Sequence, residues 1–204
     1  MGDASADPPR ASELLEQWFA GEGDKTLGSL NDRFGRGAFA VAFVLLLAVP
    51  ALPLPTGGAT HVFEVIAMLL ALQLVVGRSE VWLPDRFRRV ELAGERQQRF
   101  LERLMRLIRR LERISRPRAR FLFRGRASNV VFGLLVLVGS LGAFLAPPFT
   151  GLDTLPALGV VLLSLGVILE DALMAVAGTV LGAAGVVLEI VLGSAVVHGV
   201  GSLL

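Results

Sequence analysis

The sequence predicts an all-α integral membrane protein: two parallel, repeated helical hairpins joined by a basic amphipathic surface helix, with a C-terminal transmembrane helix after them. Three observations point there. The 204 residues are 53% hydrophobic with a mean hydropathy of +0.65, too apolar for an ordinary soluble domain. Pro53, Thr56, Gly57 and Thr60 recur 94 positions later as Pro147, Thr150, Gly151 and Thr154. Each set lies between two apolar runs, 38–52 and 62–76 in the first copy, 128–146 and 155–169 in the second. Finally, sixteen arginines lie between Arg78 and Arg126 against six acids, a local charge of +10 that marks a cytoplasmic segment.

Residues 1–12 read as disordered, and MGDASADPPR lacks the apolar core of a secretory signal. Ala6 stands where an N-myristoylation motif wants Ser or Thr. Residues 13–35 form cytoplasmic or interfacial helices. In the first, Leu14, Leu15, Trp18 and Phe19 share helical spacing behind Ser12 as N-cap, and Trp18 suits the headgroup level. Ser29 opens a second short helix with a capping-box-like start.

Residues 36–84 form the first membrane hairpin. Its runs, Gly37–Ala51 and 61–76, reach only about 23 Å at 1.5 Å per residue, short of a core of about 30 Å. The intervening PALPLPTGG breaks any helix. Either both runs are short spans, or the pair re-enters with its bend inside the membrane. Residues 85–126 are the basic linker. Within it, 95–115 form a helix with Phe100, Leu101, Leu104, Met105, Ile108, Leu111 and Ile114 on one stripe. Arg99, Arg103, Arg106, Arg109, Arg110 and Arg113 fill the remaining face, which suits an anionic cytoplasmic leaflet. No aromatic stacking platform accompanies them, so nucleic acid is not an expected partner. Residues 127–171 form the second hairpin, with a full-length span at 127–146 and the bend PPFTGLDT. Residues 172–204 hold the last transmembrane helix, whose Gly178, Gly182 and Gly185 suit close packing within the bundle or a homodimer. Both hairpins start and end on the cytoplasmic side, which makes them parallel.

Ionisable residues at membrane depth are functional candidates. Here these are Glu64, Arg78, Asp153, Glu170, Asp171 and Glu189. Arg78 and the Glu170-Asp171 step end equivalent runs, and an ion pair between them is expected. Thr60 and Thr154 are expected to cap the helices that follow the bends. Substrate binding is therefore assigned to Arg78, Thr56, Gly57, Thr60, Thr150, Gly151, Asp153, Thr154, Glu170 and Asp171, where inward helix starts suit an anion. His61 and His198 lack ligand-like spacing and there is no cysteine, so neither a metal nor another cofactor is expected. No nucleophile arrangement or nucleotide loop is present, and the chain is not expected to be an enzyme.

Gly77-Arg78 with Trp82-Leu83-Pro84, Arg116-Pro117-Arg118, Pro148-Phe149-Thr150-Gly151 with Asp153-Thr154-Leu155-Pro156-Ala157, and Glu170-Asp171 together resemble the ExoD family of bacterial membrane proteins, over roughly residues 25–200. That resemblance implies a multi-pass inner-membrane location and a link to exopolysaccharide synthesis. The expected function is support of that synthesis or export, through binding or translocation of an anionic lipid-linked substrate of the polyprenyl-phosphate type. The alternatives are a non-catalytic scaffold for polysaccharide enzymes, or an ion- or proton-coupled transporter using Glu64, Glu170, Asp171 or Glu189.

Overall fold

The computed structural model describes residues 37–52, 60–78, 125–147 and 150–201, with 16, 17, 20, 21, 82, 106, 109–111, 113 and 115. These residues form five long helices and no strand: α1 Ala38–Leu47, α2 His61–Val76, α3 Arg126–Leu145, α4 Thr154–Ile168 and α5 Ala172–Gly201. The apolar runs of the sequence fall on these helices within two residues at each bound, except that the first run extends to 52 while α1 ends at Leu47.

Helix α1 reads AFAVAFVLLL, and all ten residues are buried. A helix with no polar face has nothing to offer water, so it takes the centre of the bundle. It packs on α2 and α4, and Phe43 sets its ring edge-on to Phe132 of α3 at 5.7 Å.

Helices α2 and α4 end in the same way. At the end of α2 the Gly77 N–H donates to Leu74 O and the Arg78 N–H to Gln73 O, with Gly77 left-handed at φ 90°. At the end of α4 the Glu170 N–H donates to Val167 O and the Asp171 N–H to Gly166 O, with Glu170 left-handed at φ 51°. Both are Schellman endings, which satisfy the last carbonyls of a helix. Glycine adopts this backbone freely, whereas Glu170 does so at a steric cost.

Small residues bring α4 and α5 into backbone contact. A Cβ added to Gly159 would stand 2.3 Å from Gly182 Cα, and one on Gly178 2.3 Å from Leu163 N. The pairs run in opposite directions along the two helices, as an antiparallel hairpin requires. The glycine face anticipated at 178, 182 and 185 thus packs within this chain, against α4. Helix α2 runs antiparallel to α3 in the same manner, with Gly133 against Leu74 and Ala71.

The outer faces are apolar. Val62, Val65, Leu69, Leu72 and Val76 form an exposed stripe on α2, and Val131, Leu134, Val138, Leu141 and Leu145 one on α3. On α5 the exposed positions include Val180, Val187, Ile190 and Val191. By length and composition, Arg126–Leu145 and Ala172–Ser194 could cross a membrane; α1, α2 and α4 are shorter apolar helices.

Candidate functional site

The candidate residues chosen from sequence separate onto opposite ends of the bundle, because α2 and α4 point the same way and each has candidates at both termini. Thr60, Asp153 and Thr154 stand at the helix starts; Arg78, Glu170 and Asp171 stand at the helix ends, about 24 Å away along α2.

At the end carrying the bend before α4, the structure assembles more than the sequence reading selected. Glu64 lies one turn into α2 with no exposure, and its Oε2 is 2.6 Å from His61 Nδ1, three residues earlier on the same face. The His61 ring packs edge-on against Phe144 of α3, with centroids 5.1 Å apart. Asp153, before α4, and Glu189, on α5, complete the group: Glu189 feels the charge of both Asp153 and Glu64, and Asp153 that of His61. Gly142 of α3 makes room for Glu189, since a Cβ there would come 3.3 Å from its Oε2. Burial pushes the Asp153 carboxyl above its ordinary range, outweighing the backbone hydrogen bonds it accepts and the nearby imidazole.

Two details differ from the expected helix starts. Thr60 occupies the N-cap position of α2, but its hydroxyl does not cap the backbone; it interacts with the Glu64 carboxyl instead. Thr154 is the first residue of α4 behind Asp153 at the N-cap position, and its Oγ1 is buried without a hydrogen-bond partner. Asp153 likewise makes no side-chain cap, so its carboxyl remains with the cluster. Thr150 and Gly151 shape the second bend: Thr150 Oγ1 donates to Pro147 O at 2.6 Å, and Gly151 has φ 70°. Thr56 and Gly57 lie outside the described residues.

The opposite end is built from basic and capping groups. Arg78 stands 5.6 Å over the Trp82 ring. The Gln73 side chain holds the Trp82 backbone from both sides, donating to its carbonyl at 2.7 Å and accepting from its N–H at 2.8 Å. Among the described residues no ion pair joins Arg78 to Glu170 or Asp171, contrary to expectation. Asp171 is engaged elsewhere: its Oδ1 caps α5 at the Leu173 and Met174 N–H groups, and its Oδ2 accepts from Ser115 at 3.0 Å. In the basic linker, Arg106, Arg109, Arg110 and Arg113 are exposed, while Leu111 of the apolar stripe packs against the bundle core. Arg109 pairs with Glu16, tying the linker to the N-terminal segment. Arg99 and Arg103 lie outside the described residues.

The bend-end group therefore holds three carboxyls and one imidazole, with no positive side chain among them. That arrangement repels a phosphate and suits proton exchange. Among the described residues no set of three His, Cys, Asp or Glu has geometry for a metal ion. The sequence reading flagged Glu64 and Glu189 for their depth but left His61 out. The signal available was the three-residue spacing of His61 and Glu64 at the start of an apolar helix.

No solved structure matches the chain. It is 34% identical to Protein ExoD of Rhizobium meliloti over 157 residues, 75% of this chain and 64% of that protein. It is 30% identical to an uncharacterised protein of Synechocystis over 142 residues, 70% of this chain and 66% of that one. The matches thus span slightly less than two thirds of these relatives' lengths. The family model described as "Exopolysaccharide synthesis, ExoD" matches residues 11–191, and the chain belongs to the ExoD family.

Proposed function

We propose that this chain is a multi-pass protein of the bacterial inner membrane that supports exopolysaccharide synthesis or export. The observation that carries the reading is the inverted distribution of polarity. Aliphatic stripes cover the outside of α2, α3 and α5, while Glu64, Ser140 and Ser164 have no exposure at all. A soluble protein hides such stripes; a bilayer solvates them. The shared Schellman endings of α2 and α4, and the pairing of α1 with α4 and of α2 with α3, are what a duplicated hairpin related by a pseudo-two-fold would produce.

The placement of charge favours one end of the bundle for the headgroup of an anionic lipid-linked substrate. Its headgroup belongs at the end bearing Arg78, Arg126 and the linker arginines, not among the carboxyls at the bend. An apolar cleft of about 100 Å³ between α3, α4 and α5, lined by Val138, Val160, Leu163 and Val186 among others, suits its hydrocarbon chain. The scaffold alternative is favoured by the exposed arginines at 106, 109, 110 and 113.

The native chain contains no cysteine, so every single-cysteine variant reports its own location. In intact cells a membrane-impermeant maleimide should leave Val138→Cys unlabelled, and Arg110→Cys should react only once the cytoplasmic face is opened. Deleting the gene should lower secreted polysaccharide. A protein recovered in the soluble fraction, or unchanged polysaccharide after deletion, would refute the proposal.

A further inference from the structure

We propose that His61 and Glu64 form a proton-exchange relay at the bend end of the bundle, with His61 as the surface-facing shuttle, Glu64 as the interior acceptor, and Asp153 and Glu189 as the charges that set its occupancy. The two members of the pair stand on either side of a burial boundary. The His61 side chain is 33% exposed and that of Glu64 0%, yet Nδ1 and Oε2 are 2.6 Å apart. One group meets the outside while the other is closed from it, and a single short hydrogen bond joins them.

A buried carboxylate normally satisfies both oxygens. Here Glu64 Oε1 has no hydrogen-bond partner. Glu189 Oε1 and Thr154 Oγ1, in the same neighbourhood, are also buried and unpaired. The facing helix supplies an onward group. Gly133 meets Leu74 and Ala71, and Phe144 meets His61, so the antiparallel register places Ser140 at about the level of Glu64. Ser140 is fully buried and its hydroxyl is likewise unpaired. Glu64 and Ser140 are thus two buried polar groups at one level of an otherwise aliphatic core.

The transfer balances without any co-reactant. His61 takes a proton at Nε2 from the outside; the proton held between Nδ1 and Oε2 then passes fully to Glu64. The imidazole is left neutral as the other tautomer and Glu64 becomes a carboxylic acid. Glu64 then gives up the proton on the interior side, and a flip of the neutral imidazole turns its remaining N–H back to Oε2, so one proton has crossed and the relay is reset. The titratable groups around Glu64 are His61 on its own helix, Asp153 before α4 and Glu189 on α5. Helix α1 carries none, and the only one on α3 besides Glu-free apolar sequence is Arg126, at the far end. Glu64 is buried and Asp153 and Glu189 are half-buried; three neighbouring carboxyls resist ionising together, which leaves room for a proton that comes and goes.

The test uses the full chain in liposomes with lumenal pyranine, potassium and valinomycin on both sides, and an external pH step. The lumen should follow the step much faster than in protein-free vesicles. Glu64→Gln, which keeps the shape of the protonated acid, should slow exchange by about a hundredfold, the scale of a positioned proton-transfer group. His61→Ala should slow it too, and added imidazole should restore part of the rate, which a purely structural role would not produce. Glu189→Gln provides a second interior variant should Glu64→Gln fail to fold. Native exchange no faster than empty vesicles, exchange in Glu64→Gln or Glu189→Gln equal to native, or no rescue of His61→Ala by imidazole would overturn the relay. The maleimide and polysaccharide measurements stand apart from this outcome, so the membrane reading and the relay fail separately.

Discussion

Helices α2 and α4 occupy the same place in the two hairpins and carry opposite burdens. Both begin at or just after a threonine, and both end in a Schellman turn. Where α2 has Glu64, four residues after Thr60, α4 has Leu158, four residues after Thr154. Where α4 has Gly159 and Gly166 against α5, α2 turns Val65 and Leu72 outward. The two helices thus differ in what they bury: a carboxyl on α2, glycine contacts on α4. The difference shows that the polar interior of α2 is not required by the hairpin fold, because α4 makes the same shape without it.

The most damaging change falls on α4. Gly159→Leu drives a side chain into the backbone of α5 and should cost more than about 4 kcal/mol, so that little folded protein accumulates. Detergent-resistant fluorescence size-exclusion profiles would show it. Giving α2 the residue type of α4, Glu64→Leu, should do the reverse: removing an incompletely paired buried carboxyl stabilises by about 1–2 kcal/mol, raising the unfolding midpoint in a detergent melt while proton exchange is lost. A lower midpoint would mean that the carboxyl is structural. Asp171→Ala removes the cap of α5 and its tie to Ser115, at a cost of about 1 kcal/mol in the same melt. Smallest is Glu170→Gly, which replaces a strained left-handed residue by the one found at Gly77 and should gain about 0.5–1 kcal/mol. A loss there would show that the Glu170 side chain contributes more than its backbone strain costs.

Helices were legible in the sequence because their apolar runs are long and their punctuation is strong. The run at 61–76 coincides with α2, ended by Gly77, and the glycine spacing of 178, 182 and 185 foretold a close helix contact. The site was only half legible. Depth marked Glu64, Asp153 and Glu189, but periodicity along a helix says nothing of which face meets which neighbour. The meeting of Glu189 with Gly142, and of His61 with Phe144, depends on the register between helices far apart in the chain. The same ignorance of register produced the expected Arg78–Glu170 or Arg78–Asp171 pair: matching positions at the ends of two helices need not touch. Arg78 found an aromatic neighbour within its own segment, and Asp171 the start of α5.

Helix α1 has a consequence of an electrical kind. Its ten residues give a dry length of about 15 Å, half the hydrocarbon thickness of about 30 Å. In a bilayer, a transmembrane voltage falls mainly where water and polar groups are absent. If the polar bend end is wetted, that voltage drops over a shorter path beside α1 than through the surrounding lipid. The local field is then steeper, and a charge at the level of Glu64 responds to membrane potential more strongly than the thickness of the bilayer alone would give it.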